Sequence, residues 1–206
     1  AVPLDAGPVT PEARSGHTTT RMRGSVLLFG GSLGHGMSAE AWQLTLDTDR
    51  LAWRKPQPTG TPPSARAYHS AASRTPELSD GDDGALEQLL LFAGSDGRRR
   101  LSDLHVLTLP SFTWSTPRID GTPPAPRCWH SSASLDGVDG SFRMLCFGGV
   151  NGSGGALRDC WSLVALGPLT PPVVEAIPDE KAKAKGGAAK AGAAKAGGAA
   201  KEGKGL

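Results

Sequence analysis

Long hydrophobic runs are missing from this chain. Its longest apolar stretches, Val26–Phe29 and Leu89–Ala93, fall far short of the ~20 residues that a membrane-spanning helix requires. The opening residues lack the charged-then-apolar order of a secretory signal. Cysteine is scarce: Cys128, Cys146 and Cys160 form no CxxC pair and, being three, cannot all be bridged. That usage suits a reducing, cytoplasmic setting. Aromatic residues make up 5%, with a single tyrosine, Tyr68. Turn formers, by contrast, are abundant, with 28 Gly and 17 Pro among 206 residues. Long uninterrupted helices are therefore excluded and turns must be frequent.

The formal net charge of +2 hides a division. Residues 181–206 carry seven lysines and one acid, whereas residues 1–180 carry 15 Lys and Arg against 19 Asp and Glu. From Glu180 onward only Ala, Gly, Lys, Glu and a final Leu occur. Such a segment has no apolar surface to bury and reads as a disordered, basic tail over 179–206. It contains no aromatic on which a base could stack, so nucleic acid is not the expected partner, and a basic tail contacting nucleic acid stands only as a further alternative.

A repeat organises the rest. Pro11, Arg14 and His17 form a PxxRxxH string that recurs as Pro63, Arg66, His69 and as Pro124, Arg127, His130. Each string leads to a short apolar run ending in small residues: Leu27–Gly31, Leu90–Gly94 and Leu145–Gly149. An acid then precedes an alternating strand, at Glu40, Asp103 and Asp159. Trp53 and Trp114 close two units and begin the identical frame W-x6-G-T-P-P-x-x-R-x-x-H. Four short strands per unit follow from the period-2 patterning and the turn residues between. The third unit lacks a closing Trp, so its outer strand is doubtful. An acidic stretch, Glu77–Glu87, lengthens the second unit and reads as a loop.

This combination resembles the kelch repeat over roughly residues 7 to 166. The resemblance implies an all-β fold: a propeller segment of about three four-stranded antiparallel blades over 1–178, forming an incomplete ring. The units span roughly 11–62, 63–123 and 124–178. The chain opens in mid-array, and propellers need about four to eight blades. Further kelch units beyond this chain are expected to complete the ring, with self-association of two copies as the alternative.

Candidate binding residues come in two sets. Arg14, Arg66 and Arg127 occupy one position in every unit. In kelch propellers that bind peptides, arginines at this connection face the mouth and hold carboxylates, as a guanidinium can do bidentately. A framework role, bonding backbone carbonyls or an acid in the next blade, is the competing reading. The second set lies in loops after the small-residue pairs: Ser32 and His35, then Ser95, Asp96, Arg98, Arg99 and Arg100, then Asn151 and Ser153. These are not demanded by the repeat, and loops on rigid scaffolds concentrate binding groups. His17, His69 and His130 read as structural, one per unit. The sequence contains no nucleophile elbow, phosphate loop or zinc-ligand spacing.

The resemblance implies a non-catalytic protein- or peptide-binding scaffold or adaptor, cytoplasmic or nuclear, with no cofactor and no membrane. A kelch-propeller enzyme of metal-free isomerase or lyase type is the alternative. A copper-radical oxidase would need two tyrosines, and this chain has one.

Overall fold

The computed structural model describes residues 9–47, 50–74, 86–136, 141–165 and 173–178. Most of the acidic stretch and the whole 179–206 tail lie outside the described residues. No described residue is helical, as the Gly and Pro content requires. Among the described residues, no helix is long and apolar enough to cross a membrane.

Three sheets follow one another along the chain. The first runs β1 (Thr18–Met22), β2 (Ser25–Phe29), β3 (Ala41–Asp47) and β4 (Arg50–Arg54), in that order and antiparallel. The second is built from β5 (Thr59–Gly60), β6 (Ser70–Arg74), β7 (Glu87–Ser95), β8 (Arg100–Leu109) and β9 (Thr113–Ser115). The third has β10 (Arg118–Gly121), β11 (Ser131–Asp136), β12 (Phe142–Phe147), β13 (Cys160–Ala165) and β14 (Val173–Pro178). In the last two sheets the order is β6-β7-β8-β9-β5 and β11-β12-β13-β14-β10.

Two details differ from the four-strand reading. The connection leaving each unit becomes a fifth, short strand of the next blade, with β5 parallel to β9 and β10 parallel to β14. This explains the invariant Gly of the G-T-P-P frame. Gly60 has φ +81°, and a Cβ there would lie 2.0 Å from the Trp114 carbonyl oxygen. Only glycine lets the two backbones approach so closely. The doubtful outer strand of the third unit is also present, as β14 paired antiparallel with β13. Ladder hydrogen bonds come from the backbone, so the strand forms without a closing tryptophan.

The blades pack face to face. Met22, Leu27 and Phe29 of the first meet Leu89, Leu91, Leu107 and Trp114 of the second. Ala72, Leu90, Phe92 and Leu104 of the second meet Phe142, Met144, Cys146 and Leu163 of the third. Successive side chains on a strand point to opposite faces, so each central strand feeds two cores.

At the inner strands this packing becomes specific. His69 Nε2 bonds Thr18 Oγ1 at 2.8 Å, and His130 Nε2 bonds Ser70 Oγ at 2.7 Å. Each imidazole also stands edge-on to a phenylalanine of the preceding blade, Phe29–His69 and Phe92–His130, both at 5.6 Å. Three backbone bonds accompany each pair. Arg66 N donates to Ser38 O, Gly31 N to Arg66 O, and Tyr68 N to Gly16 O. One unit later, Arg127 N donates to Leu101 O, Gly94 N to Arg127 O, and Trp129 N to Tyr68 O.

Candidate functional site: a groove between two blade loops

The repeated arginines point inward. Arg66 and Arg127 are fully buried, and the Arg14 side chain is 3% exposed. Arg66 donates from Nη1 to Asp103 Oδ1 at 2.7 Å and from Nη2 to Asp103 Oδ2 at 2.8 Å. Its Nη1 also reaches Ala93 O, and its Nε reaches Ser64 O. Arg127 repeats this with Asp159, Gly148 O and Ala125 O. Arg14 uses Glu40, Gly30 O and Glu12 O. The same acids accept from the aromatic residue two positions on: Trp42, His105 and Trp161. One carboxylate thus ties the inner connection to the third strand of its own blade.

These contacts set the ionisation of the acids. Burial would raise the Asp103 carboxyl, but hydrogen bonds from Arg66 and His105 outweigh it and hold it well below the usual carboxylate range. Glu40 is lowered to about 2, first by its bond from Lys55. Asp159 is lowered chiefly by Arg127. The expectation that the arginines face the mouth and hold a partner's carboxylate is therefore corrected. Their donors are used within the blade, and Arg66 and Arg127 have no surface to offer.

The loops carry the open chemistry. Asp96 Oδ1 accepts from the backbone N–H groups of Arg98 and Arg99, both at 2.8 Å. Ser95 Oγ donates to Arg99 O and accepts from Arg100 Nη1 at 2.9 Å. An Asx turn and a buried serine therefore shape the loop and present three consecutive guanidinium groups. In the third blade, Asn151 Oδ1 accepts from Ser153 N, Ser153 Oγ and Gly155 N, folding that loop on itself. Between the two loops lies a groove of about 680 Å³, lined by Gly97–Arg100, Ala125, Pro126 and Asn151–Ser153. Three cations and no acid line it. The Arg98 guanidinium has no partner among the described residues, and Arg99 is exposed with a loose 3.4 Å contact to Asp96.

Beside the groove stands an aromatic pair. Trp129 is 57% exposed, lies 5.0 Å from the Tyr68 ring, and takes the Arg100 guanidinium over its face at 5.5 Å. Tyr68 and Trp129 have φ of 59° and 57°, the left-handed region that costs a side-chain-bearing residue about 1–3 kcal/mol. The first unit places Gly16 at this position, φ 66°. No three His, Cys, Asp or Glu side chains converge on a metal geometry among the described residues.

Comparison with known proteins accords with this architecture. The profile described as the KLHDC2/KLHL20/DRC7 Kelch-repeats domain matches residues 16–166. The chain belongs to the kelch-repeat family. Among kelch relatives, the dynein regulatory complex subunit 7 of Chlamydomonas reinhardtii is 33% identical over 115 residues, 55% of this chain and 9% of that protein. Kelch domain-containing protein 2 of Bos taurus is 32% identical over 117 residues, 57% of this chain and 25% of that protein. The bovine Rab9 effector protein with kelch motifs is 35% identical over 109 residues, 52% of this chain and 26% of that protein. The matched part is about a quarter or less of each of these relatives.

Within the kelch frame, the residues named from sequence fall into three groups. Arg98, Arg99, Arg100, Asn151 and Ser153 come together at the groove. Ser95 and Asp96 stand behind it and shape its wall. Ser32 and His35 belong to the first blade's loop and do not line it. Trp129 and Tyr68 are the residues that sequence reasoning missed. The signal was present: they replace a glycine at the position before each repeated histidine.

Proposed function

We propose that the chain is a non-catalytic kelch scaffold that binds a protein or peptide segment bearing negative charge. The segment lies in the groove between the Ser95–Arg100 and Asn151–Ser153 loops. The observation that carries this reading is the groove lining, three arginines without an acid. Guanidinium groups favour carboxylates or phosphates in such a setting, and an adjacent exposed tryptophan is the residue type enriched where interfaces concentrate their energy. The names of the relatives, a Rab9 effector and a dynein-complex subunit, are those of interaction proteins and support the same reading.

Fluorescence anisotropy with a labelled oligoglutamate decapeptide and an oligolysine control tests this. The acidic peptide should bind saturably, and Arg98→Glu with Arg99→Glu should weaken it by at least about tenfold. The lysines of the tail are common to parent and variant, so their contribution cancels. Equal binding of both peptides, or indifference to the double substitution, refutes the assignment.

A further inference from the structure

The groove between the Ser95–Arg100 and Asn151–Ser153 loops is built by two adjacent blades, both inside the chain, and both of its walls offer hydrogen-bond donors. On the first wall the three guanidinium groups differ. Arg98 has no side-chain partner among the described residues, and Arg99 is 80% exposed with a loose 3.4 Å contact to Asp96 Oδ2. Arg100 is held in place: Nη1 donates to Ser95 Oγ at 2.9 Å, and the guanidinium lies over the Trp129 ring at 5.5 Å. Its Nε is buried without a partner, and Nη2 has no acceptor among the described residues. A fixed guanidinium that is short of acceptors favours an anion brought to it.

On the second wall the asparagine decides. Asn151 Oδ1 already accepts from Ser153 N, Ser153 Oγ and Gly155 N. Two of these donors are backbone N–H groups, which fixes the oxygen end of the amide. The end left free is Nδ2, a donor, and the N–H of Gly152 beside it is also unpartnered among the described residues. No acidic side chain lines the groove.

We infer, resting on the groove as the binding site proposed above, that its ligand is a peptide bearing phosphoserine or phosphothreonine, with the phosphoryl group between Arg98, Arg100 and the Asn151 amide. A carboxylate brings one charge and two oxygens to donors that stand on two walls. A phosphoryl group brings about −1.5 to −2 charges and three acceptor oxygens. Charge elsewhere favours a peptide over a nucleic acid or an anionic membrane. Residues 1–180 hold 15 Lys and Arg against 19 Asp and Glu, so a polyanion reaching past the three arginines meets repulsion. One phosphoryl group on an otherwise neutral peptide does not. Ala125 and Pro126 give its flanking residues a small apolar surface within the same groove.

Fluorescence anisotropy of the full chain tests this, with labelled decapeptides of one alanine–glycine sequence whose central residue is phosphoserine, glutamate or serine. The phosphoserine peptide should bind at least about tenfold tighter than the glutamate peptide, and the serine peptide should not saturate. Asn151→Asp keeps the oxygen that the loop's N–H groups use and replaces the free donor by a second carboxylate oxygen. It should weaken phosphopeptide binding at least about tenfold and leave the melting midpoint unchanged. If oligoglutamate binds but phosphoserine is no better than glutamate, the phosphoryl assignment falls and the groove reading stands. Failure of every peptide, oligoglutamate included, overturns both. A phosphoserine preference indifferent to Asn151→Asp and to Arg98→Gln also overturns the assignment, because the preference then comes from the basic tail. Inorganic phosphate that displaces the peptide at equal concentration assigns the groove to the free ion. Single-stranded DNA or phosphoinositide vesicles that bind tighter through the same arginines assign it to those ligands, and either result overturns a peptide.

Discussion

His130 Nε2 lies 2.7 Å from Ser70 Oγ, a hydrogen bond between residues 60 apart in the chain that joins one blade to the next. Burial first, and the nearby Arg127 guanidinium second, lower the His130 pKa to about 4. His69, bonded in the same way to Thr18, is lowered to about 3 by burial, then by Arg66, His130 and His17. Both imidazoles are therefore neutral when the joint is made.

Acid should accordingly loosen the joints. Above about pH 6.5 folded and unfolded histidines are both neutral, and the joints hold in full. Below it the unfolded chain binds protons that the folded one refuses, so stability falls as pH drops from about 6.5 towards 4. Urea midpoints across that range should decline, with up to about two protons taken up on unfolding. His130→Gln should reduce the slope by about one proton. A flat profile between pH 7 and 4.5 would contradict neutral, buried imidazoles. Glu40 and the other lowered carboxylates add a second loss at lower pH, as they are protonated.

The arginine cradle leads to a stability prediction. Arg66→Ala would strand the Asp103 carboxylate and the Ala93 carbonyl that the guanidinium now satisfies. The Asp103 side chain is 39% exposed and keeps its bond from His105, so the cost falls below that of breaking a fully buried pair, at about 1–3 kcal/mol, mostly from the stranded carbonyl. Arg66→Lys should recover only part, since an ammonium cannot hold both carboxylate oxygens and two carbonyls in one plane. Chemical denaturation should rank parent above lysine above alanine. A lysine variant as stable as the parent would show that charge alone matters.

Much of this was legible beforehand. The four antiparallel strands of each unit, the blade order and the spacing of arginine, acid and aromatic residue follow from the repeat. The direction of Arg66 did not. A guanidinium with an acid 37 positions away reads equally well as a frame contact or as a partner's anchor, and only burial decides. The fifth strands were hidden because Thr59–Gly60 has two residues and no apolar pattern. Trp129 is hard to single out in the sequence because its neighbours Arg127 and His130 follow the repeat and mark the whole segment as framework.

Gly94 gives a local test of the same joint. Its φ is +102°, and an added Cβ would sit 2.8 Å from His69 Cβ and 2.9 Å from Ala67 O. Gly94→Ala should therefore cost more than about 1 kcal/mol, from both the backbone conformation and the clash. Gly34, also at positive φ but with no atom near its absent Cβ, should suffer only the backbone part. Melting of the two variants side by side separates these contributions.

Trp129 separates binding from folding. Its ring gains about 0.5–1.5 kcal/mol against Tyr68 and about 0.5–1 kcal/mol under Arg100, both partly exposed. Its left-handed backbone costs a similar amount. Trp129→Gly removes ring and strain together, restoring the residue the first blade uses at Gly16, and should change stability by less than about 1 kcal/mol. Trp129→Ala removes the ring but keeps the strain, so it should be the less stable of the two by about 1 kcal/mol. Both should weaken acidic-peptide binding alike, because the exposed ring beside the groove, which carries the Arg100 guanidinium on its face, is gone in each. If glycine unfolds the chain while alanine does not, Trp129 serves the frame. If both keep full affinity, its exposure has nothing to do with the groove. A stable glycine variant that binds poorly would show the strain to be tolerated for the sake of contact.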